Sequence, residues 1–335
     1  MDNIKVTAIC VMYNHEKFAR TTLDSLVAQK TSFKYEIIVH DDASTDKTPE
    51  IIMEYAAKYP DLIKPIIQKD NKLGKKINIY REYIYPQVKG EYIALLEGDD
   101  YWIDDNKLEK QADFMDNNPE YIACVHNSKV LENGIIREKD LCDCSNERDL
   151  SLRDVSSAGM AFYQTGSLFF RSSLIFDGPE KMPAFFDTVF PLFDYPFGIY
   201  ITQKGKVRYF PECMSVYRAI AEGSWSEATM KDYEKRLAHV RLMMKMLDEA
   251  DEWMEYKNHD DILNAQSTYK RDEYLLDWKL GNRDRIKAIS DKEFIRQLGK
   301  KNGMLVALPV HHKLLYTLYK LYHYIKNKGH YDLIV

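Results

Sequence analysis

No stretch of this chain stays apolar for anything near the ~20 residues that a membrane-spanning helix needs, so no helical span is expected. The first residues, Met1-Asp2-Asn3-Ile4-Lys5, run straight into an apolar strand-like segment without a secretory leader pattern. Cysteine is scarce: Cys10, Cys124, Cys142, Cys144 and Cys213 are odd in number and scattered, which argues against a disulfide framework and for a reduced, cytoplasmic setting. Cys142 and Cys144 form a lone CxC without a second Cys or His pair, so a loop with two thiols is expected rather than zinc. GxGxxG is missing, and Gly74-Lys75-Lys76 lacks the Walker A spacing, which removes dinucleotide and P-loop chemistry. The first strand end also lacks the Gly-rich Arg/Lys signature of a nucleotidyltransferase. A net charge of −5 carried by an acidic body excludes nucleic acid as the natural partner.

What is present is ordinary in bulk and unusual in one place. At 335 residues the chain can bury a large domain plus an addition. Tyr92-Ile93-Ala94-Leu95-Leu96 reads as a buried strand, and it ends in Glu97-Gly98-Asp99-Asp100-Tyr101-Trp102. Clustered carboxylates at a strand end repel one another and are costly to desolvate. They make sense beside Mg²⁺ or Mn²⁺, hard cations that share oxygen ligands with substrate phosphates. A solvated acidic turn is the alternative for this stretch taken alone.

The first half alternates strands (6–12, 35–40, 63–67, 91–96) with helical segments (18–29, 49–59, 77–86), with Ser44 or Thr45 as a cap for the second helix. That order predicts a parallel sheet between helices, with ligands beyond the carboxyl ends of the strands. Three of those ends carry polar chemistry: Tyr13-Asn14, Asp41-Asp42 and Glu97-Gly98-Asp99-Asp100. Residues 133–158 read as loop or short elements. Residues 166–171 read as a strand, and Phe193-Asp194-Tyr195-Pro196 opens a helix-like segment. Residues 206–210 and 214–218 read as a hairpin or two strands flanking Pro211. From about Glu227 the pattern is helical, giving an expected division into residues 1–226 and a helical region 227–335.

Charge is uneven. Residues 295–335 hold seven Lys/Arg against one Asp, a net of +6, which leaves −11 for residues 1–294. In this tail Leu314, Leu318, Leu321, Tyr322 and Ile325 share one helical face, and Lys313, Thr317, Lys320 and Tyr324 another. Such a basic amphipathic helix either lies peripherally on an anionic membrane surface or packs on the catalytic body or a second subunit as a homodimer contact.

Over residues 4–226 the ordered motifs resemble the family 2 glycosyltransferases, whose nucleotide-binding fold is called GT-A. The motifs are Val11-Met12-Tyr13-Asn14, Asp41-Asp42-Ala43-Ser44-Thr45-Asp46, Asn71-Lys72-Leu73-Gly74, Lys89-Gly90-Glu91-Tyr92-Ile93 leading into Glu97-Gly98-Asp99-Asp100, and Asp194-Tyr195-Pro196 with Tyr217-Arg218. The resemblance implies an inverting transfer of a sugar from a nucleotide-diphosphate donor, favouring a UDP-sugar, to a glycan or lipid-linked acceptor, with Mn²⁺ or Mg²⁺ as cofactor. It places Val11, Tyr13, Asp41, Asp42, Asn71 and Gly74 at the nucleotide, with Tyr13 stacking on the base and Asp42 accepting the uracil N–H. It puts Asp99 and Asp100 on the metal, with Glu97 standing where the family has Asp. Trp102, Gly166, Ser167, Tyr217, Arg218 and Trp225 fall on the acceptor side and its loop, and Asp194 becomes the general base. Asp41 and Asp46 can equally be plain helix caps, Asp194 a plain helix-start residue, and Arg218 and Lys75 ordinary surface cations. A His that related sequences carry after Tyr-Arg is replaced here by Ala219-Ile220-Ala221. That departure sets up the alternative: a non-catalytic sugar-nucleotide-binding or scaffold protein that keeps the fold.

Overall fold

The computed structural model describes residues 4–157, 162–176, 182–219 and 232–280. Its centre is a ten-stranded mixed sheet in the order β3-β2-β1-β4-β9-β6-β10-β5, with β7 on β6 and β8 on β10. The N-terminal half follows the alternation expected from sequence: β1 Val6–Met12, α1 Ala19–Val27, β2 Tyr35–Asp41, α2 Thr48–Lys58, β3 Ile63–Ile67 and β4 Tyr92–Glu97, with β1 paired parallel to both β2 and β4. Val6, Ala8, Cys10 and Met12 alternate along one face of β1 and are buried in the same core as Leu23 and Leu26 of α1. Each such leucine contributes about 1.5–3 kcal/mol by leaving water. Pro65 lies in β3 at the sheet edge, where a missing N–H does least harm.

Several elements differ from the sequence expectation. The segment after β3 is an irregular helix, a π turn Tyr80–Ile84 running into a 3₁₀ turn Tyr85–Gln87. Helix α2 is capped by neither Ser44 nor Thr45. Asp46 Oδ1 accepts from Thr48 N at 2.9 Å and from Thr48 Oγ1 at 2.6 Å, while Ser44 is spent on Asp41. After β5 (Tyr101–Trp102) and α3 (Lys107–Asn117) comes β6, Tyr121–Glu132, twelve residues long and unread from sequence. Short β7 (Ile135–Ile136), β8 (Arg148–Asp149) and α4 (Leu152–Ser157) follow. Next come a 3₁₀ turn Thr165–Ser167, β9 Phe169–Arg171, α5 Ser173–Phe176, α6 Phe185–Thr188 and α7 Asp194–Thr202. Strand β9 runs antiparallel between β4 and β6.

Residues 206–218 are not a hairpin but a single strand, β10 Lys206–Arg218, parallel to β6. Its register shifts between Phe210 and Cys213, so Pro211 sits in an irregularity where no ladder N–H is needed.

The chain divides into two compact units, 1–228 with 245–265, and 229–244 with 266–335. Helices α8 (Tyr233–Trp253) and α9 (His259–Leu280) bear out the helical reading beyond residue 227. Within the second unit Leu237, Val240 and Leu276 form a small core, and Arg241 Nε donates to Glu273 at 2.8 Å. The basic tail and Trp225 lie outside the described residues. Among the described residues no helix is long and apolar enough to cross a membrane.

Candidate functional site

Three adjacent parallel strands, β2, β1 and β4, end at one edge, and the polar residues called from sequence gather there. The loops after β1 and β2 are zipped together. Asn14 N donates to Ser44 Oγ at 2.8 Å, Thr45 N to Asn14 Oδ1 at 2.8 Å, and Glu16 N to Asp46 Oδ2 at 3.0 Å. Asn14 and Ala43 hold positive φ, 56° and 63°, at the two tight corners. Tyr13 projects outward, 43% exposed, and Val11 is half-buried on the strand below it.

The β2 carboxylates are consumed locally. Asp41 accepts from Ser44 N at 3.0 Å and Ser44 Oγ at 2.5 Å; burial still pushes its carboxyl up. Asp42 is fully buried and accepts from Lys72 N at 2.8 Å and Leu73 N at 3.0 Å. Asp42 therefore clasps the Asn71–Lys75 loop, where Gly74 N donates to Asn71 Oδ1 and Lys75 pairs with Asp70. The side chain expected to meet a uracil ring is thus inside the protein, holding that loop.

The end of β4 is built differently. Gly98 N donates to Val11 O at 2.9 Å, Asp100 N to Glu97 O at 3.1 Å, and Thr22 Oγ1 lies 2.7 Å from Asp100 O. A Cβ on Gly98 would come within 2.5 Å of both His15 Nδ1 and Met12 Cγ, so only glycine fits between the carboxylates. Glu97, Asp99 and Asp100 each offer an oxygen within 4.8 Å of the others. Asp100 is 1% exposed; Oδ1 accepts from Arg218 N at 2.7 Å, while the buried Oδ2 has no partner. Burial, then Asp99, holds the Asp100 carboxyl well above the usual carboxylate range. Glu97 is open to solvent yet walled by enough protein that desolvation leads its own upward shift, with Asp99, Asp100 and Asp194 adding to it. Both statements hold for a carboxylate on the floor of a concave site.

Asp194 stands at the start of α7 in the same basin. Its Oδ2 accepts from Thr165 Oγ1 at 3.0 Å and its Oδ1 from Tyr195 N at 2.9 Å; burial raises its carboxyl against those two bonds. Arg218, at the end of β10, is half-buried between the rings of Phe18 and Tyr101 and donates to Asp99 O. It is a fixed part of the carboxylate turn rather than an ordinary surface cation, and Tyr217 precedes it half-buried. Trp102, Gly166 and Ser167 are buried and form a hub: Trp102 Nε1 donates to Gly166 O at 2.9 Å, and Gln111 Nε2 to Ser167 O at 3.3 Å. Lys107 Nζ sits 4.2 Å over the Trp102 ring.

Sequence reasoning missed Thr22, His15, Thr165 and Tyr80. His15 is legible in part, since it follows the Tyr13-Asn14 strand end. Burial, then Glu97, raises the Tyr80 hydroxyl, and Asp194 also contributes, which places Tyr80 in this basin; one tyrosine among 24 carries no sequence signal.

With this geometry in view, the sequence pattern described as Glycosyl transferase family 2 matches residues 7–175. The chain belongs to glycosyl transferase family 2. An uncharacterized protein of Mycobacterium tuberculosis is 37% identical over 223 residues, 67% of this chain and 61% of that protein; the match thus spans about three-fifths of that relative's length. The poly(ribitol-phosphate) beta-N-acetylglucosaminyltransferase TarS of Staphylococcus aureus is 30% identical over 135 residues, 39% of this chain and 22% of TarS. The solved structure of S. aureus TarS 1–349 with UDP-GlcNAc shares the fold at a TM-score of 0.59 and 19% identity, covering 97% of this chain and 88% of that one.

Proposed function

We propose that this protein is a metal-dependent, inverting glycosyltransferase that moves a sugar from a UDP-linked donor to a hydroxyl of a glycan or lipid-linked acceptor. The observation that carries the reading is the Glu97–Asp99–Asp100 cluster, with its buried, unpartnered Asp100 Oδ2, in one basin with Asp194. An all-oxygen set with negative charge in excess suits a hard divalent cation. Asp99 and Asp100 would hold Mn²⁺ or Mg²⁺, with Glu97 beside them. When bound, the ion offsets the charge on the donor's diphosphate leaving group. The residues of the chain do the rest. Tyr13 offers an exposed ring to the base beside the loop that Asp42 holds closed. Arg218 braces the carboxylate turn from the end of β10. Asp194, oriented by Thr165 and Tyr195, accepts the proton of the acceptor hydroxyl as it attacks the anomeric carbon from the face opposite the diphosphate. Attack from that face inverts the anomeric configuration. The UDP preference is supported by family membership and by the UDP-GlcNAc that TarS binds.

The test is a thermal-shift screen of nucleotide sugars with and without Mn²⁺, since binding to the native state raises the melting temperature. A Mn²⁺-dependent shift with one UDP-sugar, followed by transfer with an inverted anomeric coupling constant, is the expected result. Equal shifts with GDP-sugars, or shifts indifferent to metal, would overturn it.

A further inference from the structure

Lys107 is fully buried at the start of α3, and no carboxylate pairs with it among the described residues. Asp104, whose charge it feels, is paired with Lys110 at 2.7 Å instead. A buried charge without a partner is costly, and a methionine would fill the same space without that cost. The reason for an amine here lies in what it touches. Nζ donates to Gln111 Oε1 at 2.7 Å and lies 4.2 Å over the Trp102 ring. Both contacts lead to one place. Gln111 Nε2 donates to Ser167 O at 3.3 Å, and Trp102 Nε1 to Gly166 O at 2.9 Å. These are consecutive carbonyls of the buried turn Thr165–Ser167, whose first residue donates its hydroxyl to Asp194 Oδ2 at 3.0 Å.

The amine also decides which way the Gln111 amide lies. A primary amide fits its slot in two senses, with oxygen and nitrogen exchanged. With its oxygen toward Ser167 O, Gln111 would set two acceptors against each other. The Lys107 amine donates, so it holds Oε1 on its own side and turns Nε2 toward the carbonyl. Residues 107 and 111 are one helical turn apart, which puts both side chains on the same face of α3.

We infer that Lys107 is a positioning residue for Asp194: it fixes the sense of the Gln111 amide and the seat of Trp102, and through them the turn whose Thr165 hydroxyl aims the base. The inference rests on the glycosyltransferase reading above. It goes beyond that reading by assigning part of the control of the base to a side chain sealed in the core, out of reach of any substrate.

The experiment compares Lys107→Met, Thr165→Val and the double variant, each in the full chain, by two readouts. The first is UDP release from UDP-N-acetylglucosamine, UDP-glucose and UDP-galactose with Mn²⁺, beside UDP affinity. The second needs no substrate: hydrogen exchange at the Gly166, Ser167 and Leu168 amides, all bonded within the turn, with the β1 amides as the control for folding. Lys107→Met should speed exchange at the turn by about tenfold with β1 unchanged, and lower kcat by about tenfold while UDP affinity stays within about twofold. The double variant should turn over no more slowly than Thr165→Val alone, because both changes act on the same bond to the base. Thr165→Ser, which keeps the hydroxyl, should recover most of the turnover. Unchanged exchange at the turn, a normal kcat, or losses that multiply in the double variant would overturn the assignment. So would a fall in UDP affinity as large as the fall in kcat, which would make Lys107 a support of the whole domain. If Lys107→Met loses the protection of β1 as well, Gln111→Leu carries the same expectations. A parent that releases no UDP from any of the three donors, with the turn still loosened in Lys107→Met, would strike the glycosyltransferase reading and leave the link from Lys107 to the turn standing.

Discussion

The strand ends of β2 and β4 both carry clustered carboxylates, and the two clusters are used in opposite ways. At β2 the oxygens of Asp41, Asp42 and Asp46 accept from Ser44, from Lys72 and Leu73, and from Thr48 and Glu16. At β4 the side chains of Glu97 and Asp99 have no hydrogen-bond partner among the described residues, and Asp100 has one oxygen bonded and one bare. A buried carboxylate with its bonds made closes a loop. A buried carboxylate without them costs free energy until a cation arrives. Aspartate at a strand end thus has two meanings, and the count of N–H donors around it separates them.

The largest effect tests the residue that stands between these cases. Asp194 is bonded to Thr165 and Tyr195 yet faces the unbonded cluster. Asp194→Asn should lower kcat by roughly 10²–10⁴ with donor affinity little changed, read by turnover beside a UDP-sugar titration. A normal kcat would return Asp194 to the β2 kind of carboxylate, a helix-start residue.

Next in size is Asp42→Ala, which strands the backbone N–H groups of Lys72 and Leu73. Bonds to a charged acceptor are the strong ones, so unfolding free energy should fall by about 2–4 kcal/mol in urea titration. An unaffected midpoint would mean that the clasp contributes nothing.

A buried cation supplies the converse. Lys107 is fully buried, bonded to Gln111 Oε1 at 2.7 Å, and burial pushes its amine down to about 7. An unfolded lysine titrates near 10.4, so between about 7 and 10.4 the unfolded chain binds more protons than the folded one. The penalty is therefore full below about 7 and fades as pH rises through that window. Stability of the parent relative to Lys107→Met should rise by about 2 kcal/mol from pH 7 to 9. A flat difference would show the amine still charged in the fold.

The smallest effect sharpens the comparison most directly. Asp99→Ala should leave the unliganded melting temperature unchanged or raised, because it relieves repulsion, while Mn²⁺-supported UDP affinity falls about tenfold, or ~1.4 kcal/mol. Retention of that affinity within about threefold would remove Asp99 from the metal site.

The same contrast sets what could be read from sequence. Strands β1 to β4 announce themselves as apolar runs, β2 and β4 among them ending in acids, and Asp99 and Asp194 stand out by charge and place. Strand β6 did not, because His126, Asn127 and Ser128 interrupt its apolar pattern while buried. Asn127 bonds to Cys142 O and Ser128 to Ser215, both beyond the strand, while His126 bonds only to the neighbouring Asn127 carbonyl. Pro211 split β10 on paper, and only the register shift reveals why it does not do so in space. The Tyr80–Phe193 stack is illegible for a simpler reason: the two residues are distant in sequence, and nothing in the order of residues says that they meet.

Gly98 carries a last consequence, for how the sequence can vary. The space its missing side chain leaves is filled by Met12 at the end of β1 and by His15 from the loop after it. Positions 12, 15 and 98 therefore form one unit of inheritance. Alanine at 98 should be poorly tolerated in this background, and shortening His15 alone should not rescue it, because Met12 Cγ meets the same Cβ at 2.5 Å. The spelling of the acidic motif in this chain is thus written partly by a residue more than eighty positions upstream.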